Sequence, residues 1–259
     1  MKRLIFTLLI ISLLNNLYAQ NTDSLAFEFG EKLSVFKNIR NQTFSIKKED
    51  KTLFKNLKFV SDIRDYYLQI LTKNNSIFYI DENGQKHKQT GKMIQWLCGT
   101  VYNYSCEIKD IGKKYVITKV ESMYGYNENQ TEIIGTIDKT DVKKIYFNND
   151  SKKIEYDGNY NYTLSNNMGV FPDIQVFPDA VIIEKNNQKG ILHNGILTFY
   201  DDILEHKYWI FKVKLNGKVG YYGITKIKYK TLEHFIFGLA KFKLPNGKTG
   251  YVDAKGKEY

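Results

Sequence analysis

The chain has 259 residues, with 38 Lys or Arg against 28 Asp or Glu, a formal net charge of +10 and an aromatic content of 15%. A basic balance favours anionic partners in general, but the lysines are spread evenly, as they are where they block unwanted pairing at exposed strand edges. No nucleic-acid-binding motif accompanies the charge, so nucleic acid is set aside as a partner.

Met1-Lys2-Arg3 supplies a positive start, Leu4 to Leu14 is apolar apart from Thr7 and Ser12, and Leu17-Tyr18-Ala19 precedes Gln20. That layout predicts a secretory signal peptide over residues 1–19, cleaved after Ala19. The apolar run of eleven residues is short of the roughly 20 that cross a bilayer as a helix. An N-terminal membrane anchor is the competing reading. Cleavage removes Lys2 and Arg3 and no acid, taking the formal charge from +10 to +8. No later stretch is apolar enough to cross, so the expectation is an exported chain without a transmembrane segment, in the periplasm, at the cell surface or outside the cell. What remains, about 240 residues, suffices for one or two domains with a substantial core.

Residues 20–60 form an N-terminal capping segment. Leu25, Phe29, Leu33 and Phe36 recur at near-helical spacing, with Asp23 or Ser24 as N-cap, so a short helix over Asp23 to Ile39 is one expectation. Gly30 speaks against it, since glycine inside a helix costs about 1 kcal/mol.

Residues 61–180 read as divergent β-repeats. The two cysteines, Cys98 and Cys106, both fall here. Export permits a disulfide, which would stabilise the fold by roughly 2–3 kcal/mol if two strands bring the Cα atoms within about 7 Å. Bridged and free forms both stay open. A catalytic or metal-binding thiol has neither a CxxC spacing nor a nearby histidine behind it.

Residues 181–259 carry the clearest pattern. Gly190, Gly220 and Gly250 stand thirty residues apart in similar surroundings: N-N-Q-K-G-I-L-H, N-G-K-V-G-Y-Y-G and N-G-K-T-G-Y-V-D. A fixed period of this length marks a repeat array. Trp209, Phe211, Val213 and Leu215 alternate with Ile210, Lys212 and Lys214, the period of a half-buried strand. Asn216-Gly217 then supplies a tight hairpin turn, and Val219 to Tyr222 returns. The next unit repeats this with Ala240 to Leu244, Asn246-Gly247 and Thr249 to Asp253. The repeat glycines are expected where a neighbouring strand or ring approaches closely, because a strand glycine otherwise weakens the ladder. Upstream, anchors at 78, 106, 135 and 162 continue the register at steps of 27 to 29 residues.

The segment Asn246 to Lys257 resembles the bacterial WG repeat, a tandem β-hairpin repeat. Gly238-Leu239-Ala240-Lys241-Phe242 matches its later strand, and Phe199-Tyr200-Asp201-Asp202 its Tyr-Asp corner. At the name-giving tryptophan this chain has Lys189, Val219 and Thr249, so the repeats are divergent. The resemblance implies an interaction scaffold and an architecture, without an activity. The fold class expected is all-β: tandem hairpin repeats of about 28–30 residues stacked into an elongated or curled array, each unit burying its apolar face against the next. Propeller blades need about 40–45 residues.

Residues that could carry chemistry are scattered. His87, His193, His206 and His234 show no metal-ligand spacing. Asp81, Asp138 and Asp253 share one repeat position; a calcium row is conceivable, but an Asp entering a turn more simply accepts hydrogen bonds from its own backbone. Asp201 and Asp202 are strand neighbours and point to opposite faces. No nucleophile, metal or phosphate-loop motif is present, and no catalytic, cofactor or metal residue is assigned. Tyr102, Tyr104, Tyr124, Tyr126, Tyr160, Tyr162, Tyr221 and Tyr222 form alternating or paired sets, which would either be buried between hairpins or form a stacking platform for sugars. The functional expectation is a non-catalytic binding scaffold for an extracellular or envelope protein or glycan. The alternative is a secreted polysaccharide hydrolase with an acidic pair about 5–10 Å apart.

Overall fold

Short apolar–polar alternations punctuated by Asn, Gly and Asp fold as antiparallel ribbons, and every strand among the described residues pairs in this way. The computed structural model describes residues 23–63, 66–88, 102–123, 129–147, 154–155, 164–165, 177, 179–207 and 210–259. Among these residues there are strands and turns but no α-helix. Two compact units divide the chain, Met1–Gln95 and Trp96–Tyr259. The signal segment with Ala19 and the residue Cys98 lie outside the described residues.

In the first unit, β1 (Asp23–Phe29), β2 (Leu33–Asn38), β3 (Phe44–Lys48) and β4 (Lys51–Leu57) form one four-stranded meander. After Lys58, β5 (Phe59–Ile63), β6 (Tyr67–Leu71), β7 (Ile77–Asp81) and β8 (Lys86–His87) form a second. Phe29, Leu33, Val35 and Ile46 of the first sheet share one core with Leu68, Ile70, Phe78 and Ile80 of the second. Each such side chain contributes about 1.5–3 kcal/mol by leaving water.

The helix expected over Asp23 to Ile39 is absent, and a hairpin stands there instead. Gly30 takes φ +58° and turns the chain, so that Phe29 pairs with Leu33 and Phe27 with Val35. Phe29, Leu33 and Val35 are buried on one face, whereas Leu25 is exposed and Phe36 faces Lys47, whose Nζ lies 4.5 Å from the ring centroid. The four residues that would share a helical face are thus divided between two faces of a sheet. Val35, which the helical spacing omits, completes the buried period-2 set.

In the second unit, the long strands β9 (Tyr102–Ile111), β10 (Lys114–Met123) and β11 (Asn129–Asp138) form an antiparallel sheet. Next come β12 (Val142–Phe147), β13 (Ile154–Glu155) and β14 (Leu164–Ser165), the last pairing with β9. Then β15 (Ala180–Lys185), β16 (Gln188–His193) and β17 (Ile196–Tyr200) extend from β12 in the order β13-β12-β15-β16-β17. Two three-stranded sheets complete the chain: β18 (Asp202–Lys207), β19 (Ile210–Leu215) and β20 (Lys218–Tyr221), then β21 (Thr231–Leu232), β22 (Leu239–Lys243) and β23 (Thr249–Asp253). Tandem antiparallel hairpin sheets, the architecture expected from the period, are what the chain forms.

Adjacent sheets bury their faces on one another here. Ile117 and Ile134 pack with Ile145, Ile183 and Leu192, while Ile182, Ile191, Phe211, Val213, Tyr229, Phe242 and Val252 build a second cluster through the later sheets. Left-handed asparagine and glycine residues set the ribbon ends. Asn186-Asn187, Asn194-Gly195 and Asn216-Gly217 all have positive φ at both positions, the type I′ geometry that matches strand twist. At Asn246-Gly247 only the glycine is left-handed, φ +88°. Pro245 opens this wider turn, which is closed by Gly247 N–H to the Leu244 carbonyl at 3.0 Å.

Candidate functional site

Two segments with the same spacing build the same polar clasp. In D-E-N-G-Q-K-H, residues 81 to 87, the Asp81 Oδ1 accepts the N–H groups of Asn83 (3.0 Å) and Gln85 (2.9 Å), and Oδ2 lies 2.9 Å from His87 Nε2. In D-A-K-G-K-E-Y, residues 253 to 259, the Asp253 Oδ1 accepts the N–H groups of Lys255 and Lys257 at 2.9 Å, and Oδ2 accepts the Tyr259 hydroxyl at 2.9 Å. Gly84 and Gly256 supply the left-handed residue, φ +82° and +78°, that lets each turn close on its aspartate. Asp138 accepts the Thr140 N–H at 2.7 Å. Asp81, Asp138 and Asp253 therefore hold their own turns, as the simpler of the two sequence readings has it. The side chain six residues beyond the aspartate was missed; its signal, D-x-x-G-x-x followed by His or Tyr, is visible in both segments.

Burial alone would raise the Asp81 pKa. The bond to His87 and the Gln85 and Asn83 amides outweigh it and hold the carboxyl below the usual carboxylate range. Burial pushes the Tyr259 phenol up, and its bond to the Asp253 carboxylate adds to this.

Each of the three histidines whose side chains are described faces a carboxylate. His87 has Asp81. His234 Nδ1 is 2.9 Å from Glu205 Oε2, close enough for an ion pair but without hydrogen-bond alignment. His193, at the end of β16, lies between Asp179 Oδ2 (3.1 Å from Nε2) and the Tyr222 hydroxyl (3.0 Å from Nδ1). The Phe177 ring stands edge-on to both His193 and Tyr222, at 5.2 and 5.1 Å between centroids. Only glycine fits behind that ring: a Cβ on Gly223, itself at φ +67°, would lie 2.3 Å from Phe177 Cζ. Burial first and Asp179 second raise the Tyr222 pKa. The carboxylate, imidazole and phenol satisfy one another, and among the described residues no group of three or more His, Cys, Asp or Glu side chains could hold a metal ion.

The repeat glycines sit at close approaches. A Cβ on Gly190 would be 3.0 Å from the Thr198 carbonyl, on Gly220 2.8 Å from the Lys226 carbonyl, and on Gly250 2.5 Å from the Tyr259 carbonyl. Gly135, in β11, meets the Leu192 side chain and the Cα of Gly195. The anchor at Cys106 differs, lying in the outgoing strand of its hairpin rather than the returning one, and residue 162 is outside the described residues. Cys106 is buried, and burial pushes its pKa as a thiol up to about 12; Cys98 lies outside the described residues, so the bridge stays an expectation. Asp201 and Asp202 do separate work: Asp201 accepts the Gly217 N–H, and Asp202 takes Lys189 Nζ at 3.1 Å. The Tyr221 ring is buried in the core, and its hydroxyl donates to the Glu233 carbonyl.

A cleft of about 440 Å3 opens in the first unit between β4, the turn after β6, and the β7–β8 hairpin. Phe54 and Phe78 form its apolar wall, their centroids 5.4 Å apart and tilted by 46°. Lys55, Lys73 and Lys86 line it together with the amides of Asn56 and Asn74, and no acidic residue does. Lys86 Nζ lies 4.3 Å from the Phe78 centroid, a cation–π contact. None of these three lysines forms an ion pair among the described residues. Local backbone holds the rim: Asn56 is left-handed at φ +58°, and Lys58 Nζ donates to Asn75 Oδ1 at 2.7 Å, tethering the 72–76 turn. This cleft was not legible in the sequence, because its lysines come from a strand of the first sheet and from a turn and a strand of the second, and they look evenly scattered along the chain.

Among the described residues, no helix is long and apolar enough to cross a membrane. Compared with known proteins, the chain matches no family model, and no curated protein is significantly similar to it.

Proposed function

We propose that the chain is an exported, non-catalytic hairpin-repeat protein, a divergent relative of the WG repeats, that binds a partner through the lysine-lined cleft of its first unit. The cleft carries this reading. Its cations have no carboxylate partner, whereas Asp81, Asp179, Asp253 and the histidines beside them are engaged in holding turns and strands. Exposed lysines without counter-charges, beside a ring pair and two amides, suit recognition of an anionic partner. The positively charged start and short apolar run at residues 1–19 support delivery to the cell envelope or beyond, where a glycan or a protein would be the partner.

The hydrolase alternative needs paired carboxylates beside a sugar-binding ring. Glu31 and Glu82 line a recess of about 320 Å3 with Gly30 and Lys32, and no aromatic ring lines it. The discriminating experiment incubates purified protein with an array of envelope glycans and assays the same glycans for new reducing ends. Retention without product is expected. Catalytic accumulation of product would replace this reading with the hydrolase.

A further inference from the structure

We infer that the cleft between β4, the 72–76 turn and the β7–β8 hairpin binds an acidic saccharide, a sugar ring bearing a carboxylate or phosphate; this rests on the binding function proposed above. Three features of the lining divide the recognition between them. Lys55 of β4, Lys73 of the turn after β6 and Lys86 of β8 all contribute to the lining, and no acid does. An ammonium group is a compact point charge with three rotatable donors, so this set suits an anion without fixing its geometry. Asn56 and Asn74 each offer an amide that both donates and accepts, the chemistry that ring hydroxyls require. Thr72 adds a hydroxyl that already accepts the Ser76 N–H at 3.1 Å and keeps its own hydrogen to donate.

Ring stacking supplies the third element. Phe78 is almost fully buried and its face is covered by Lys86, which leaves the half-exposed Phe54 as the surface against which a sugar ring lies. Lys86 thereby has two roles: its ammonium group covers the Phe78 ring, and it adds a positive charge to the lining that Phe54 shares. The space is large enough for a ring as well as its charge. The cleft of about 440 Å3 is within the roughly 300–1,000 Å3 typical of small-molecule sites and far above the ~30 Å3 share of one water. An acidic peptide is the competing ligand, and titration with one separates the two.

The test is calorimetric titration of the full chain at low ionic strength with four probes: a galacturonic acid tetrasaccharide, its neutral galactose counterpart, inorganic phosphate and a glutamate-rich peptide. Binding of the acidic saccharide is expected, weakening by about tenfold in the combined variant Lys55→Gln/Lys73→Gln/Lys86→Gln and by several-fold on raising the salt. Replacing the three lysines with arginine keeps the charge and is expected to restore most of the affinity. Phe54→Leu is expected to weaken binding by about threefold without altering the salt dependence. A phosphorylated saccharide of the same length, titrated in parallel, assigns the anion to carboxylate or phosphate by which binds more tightly. Equal affinity for the neutral saccharide, for inorganic phosphate or for the peptide would overturn the inference, as would an unchanged triple-glutamine variant. Should the acidic saccharides fail while the glycan array or protein capture still finds a partner, the ligand class falls and the binding function stands. If neither finds one, both fall.

Discussion

The Tyr259 hydroxyl donates to Oδ2 of Asp253 across 2.9 Å while Oδ1 of the same carboxylate collects two backbone amides. One buried acid thus joins the turn after β23 to the segment that folds back along that strand. Asp253 is 7% exposed, so loss of any of its partners is felt in a low-dielectric setting.

Replacing Asp253 with Ala leaves the Lys255 and Lys257 N–H groups and the Tyr259 hydroxyl without their acceptor. We expect a destabilisation of about 2–4 kcal/mol, and about 1 kcal/mol for Tyr259→Phe, which removes a single bond. Urea titration followed by tyrosine fluorescence measures both. A value near zero for Asp253→Ala would show that water replaces the carboxylate freely.

The acid limb of stability should depend on Asp81. Its folded pKa is depressed, so the unfolded chain binds the proton more readily in that range. Its contribution is present above the unfolded value of about 3.9 and is lost as pH falls through the folded one. Asp81→Asn should therefore flatten the fall in stability below about pH 4 while lowering stability at neutral pH. Urea midpoints taken across pH 2–7 for both proteins are the check; parallel curves would exclude the aspartate as a source of the acid limb.

At alkaline pH the sign reverses. Burial and then the bond to Glu184 push the Tyr146 phenol up to about 12, and burial and then Tyr222 push Tyr200 to about 12. A raised phenol contributes stability that is complete below the unfolded value of about 10 and lost as pH rises through the folded value. Tyrosinate absorbance of the folded protein should accordingly lag behind that of the urea-unfolded chain between about pH 10 and 12. Coincident titrations would mean that these rings are solvated.

Glycines at the ribbon ends and in the strands should respond differently to alanine. Gly217 has φ +71° and open space around it, so Gly217→Ala carries backbone strain alone, about 1 kcal/mol. Gly220 and Gly250 face backbone carbonyls that cannot turn aside, so alanine there should cost about 1–3 kcal/mol through overpacking. Thermal melting of the three variants ranks them.

The thirty-residue interval and the Asn-Gly signals made the hairpin architecture readable, since strand alternation and left-handed turns are local properties. Even so, equal intervals hid unequal turns: Gly220 pairs with Val213 around a two-residue turn, whereas Gly250 pairs with Phe242 around a longer one opened by Pro245. The N-terminal hairpin was masked because apolar residues spaced by three and four satisfy a helix as well as two strands joined at Gly30. The cleft was hidden for a different reason. Its lysines are brought together because the two sheets of the first unit pack on a shared core, and that packing leaves no mark in charge spacing.

Residues 257–259 fold back along β23: the Asp253 N–H reaches the Lys257 carbonyl at 2.9 Å, and Tyr251 and Tyr259 exchange backbone bonds at 3.3 and 2.8 Å. The outward backbone groups of that strand are already occupied, so a second molecule could not continue the sheet there without first displacing Tyr259. An exposed edge of this kind is the usual template for fibril growth. Weakening the aspartate that closes the turn is therefore expected to free this edge, and fibre formation by Asp253→Ala under conditions where the parent stays dispersed is the outcome to look for.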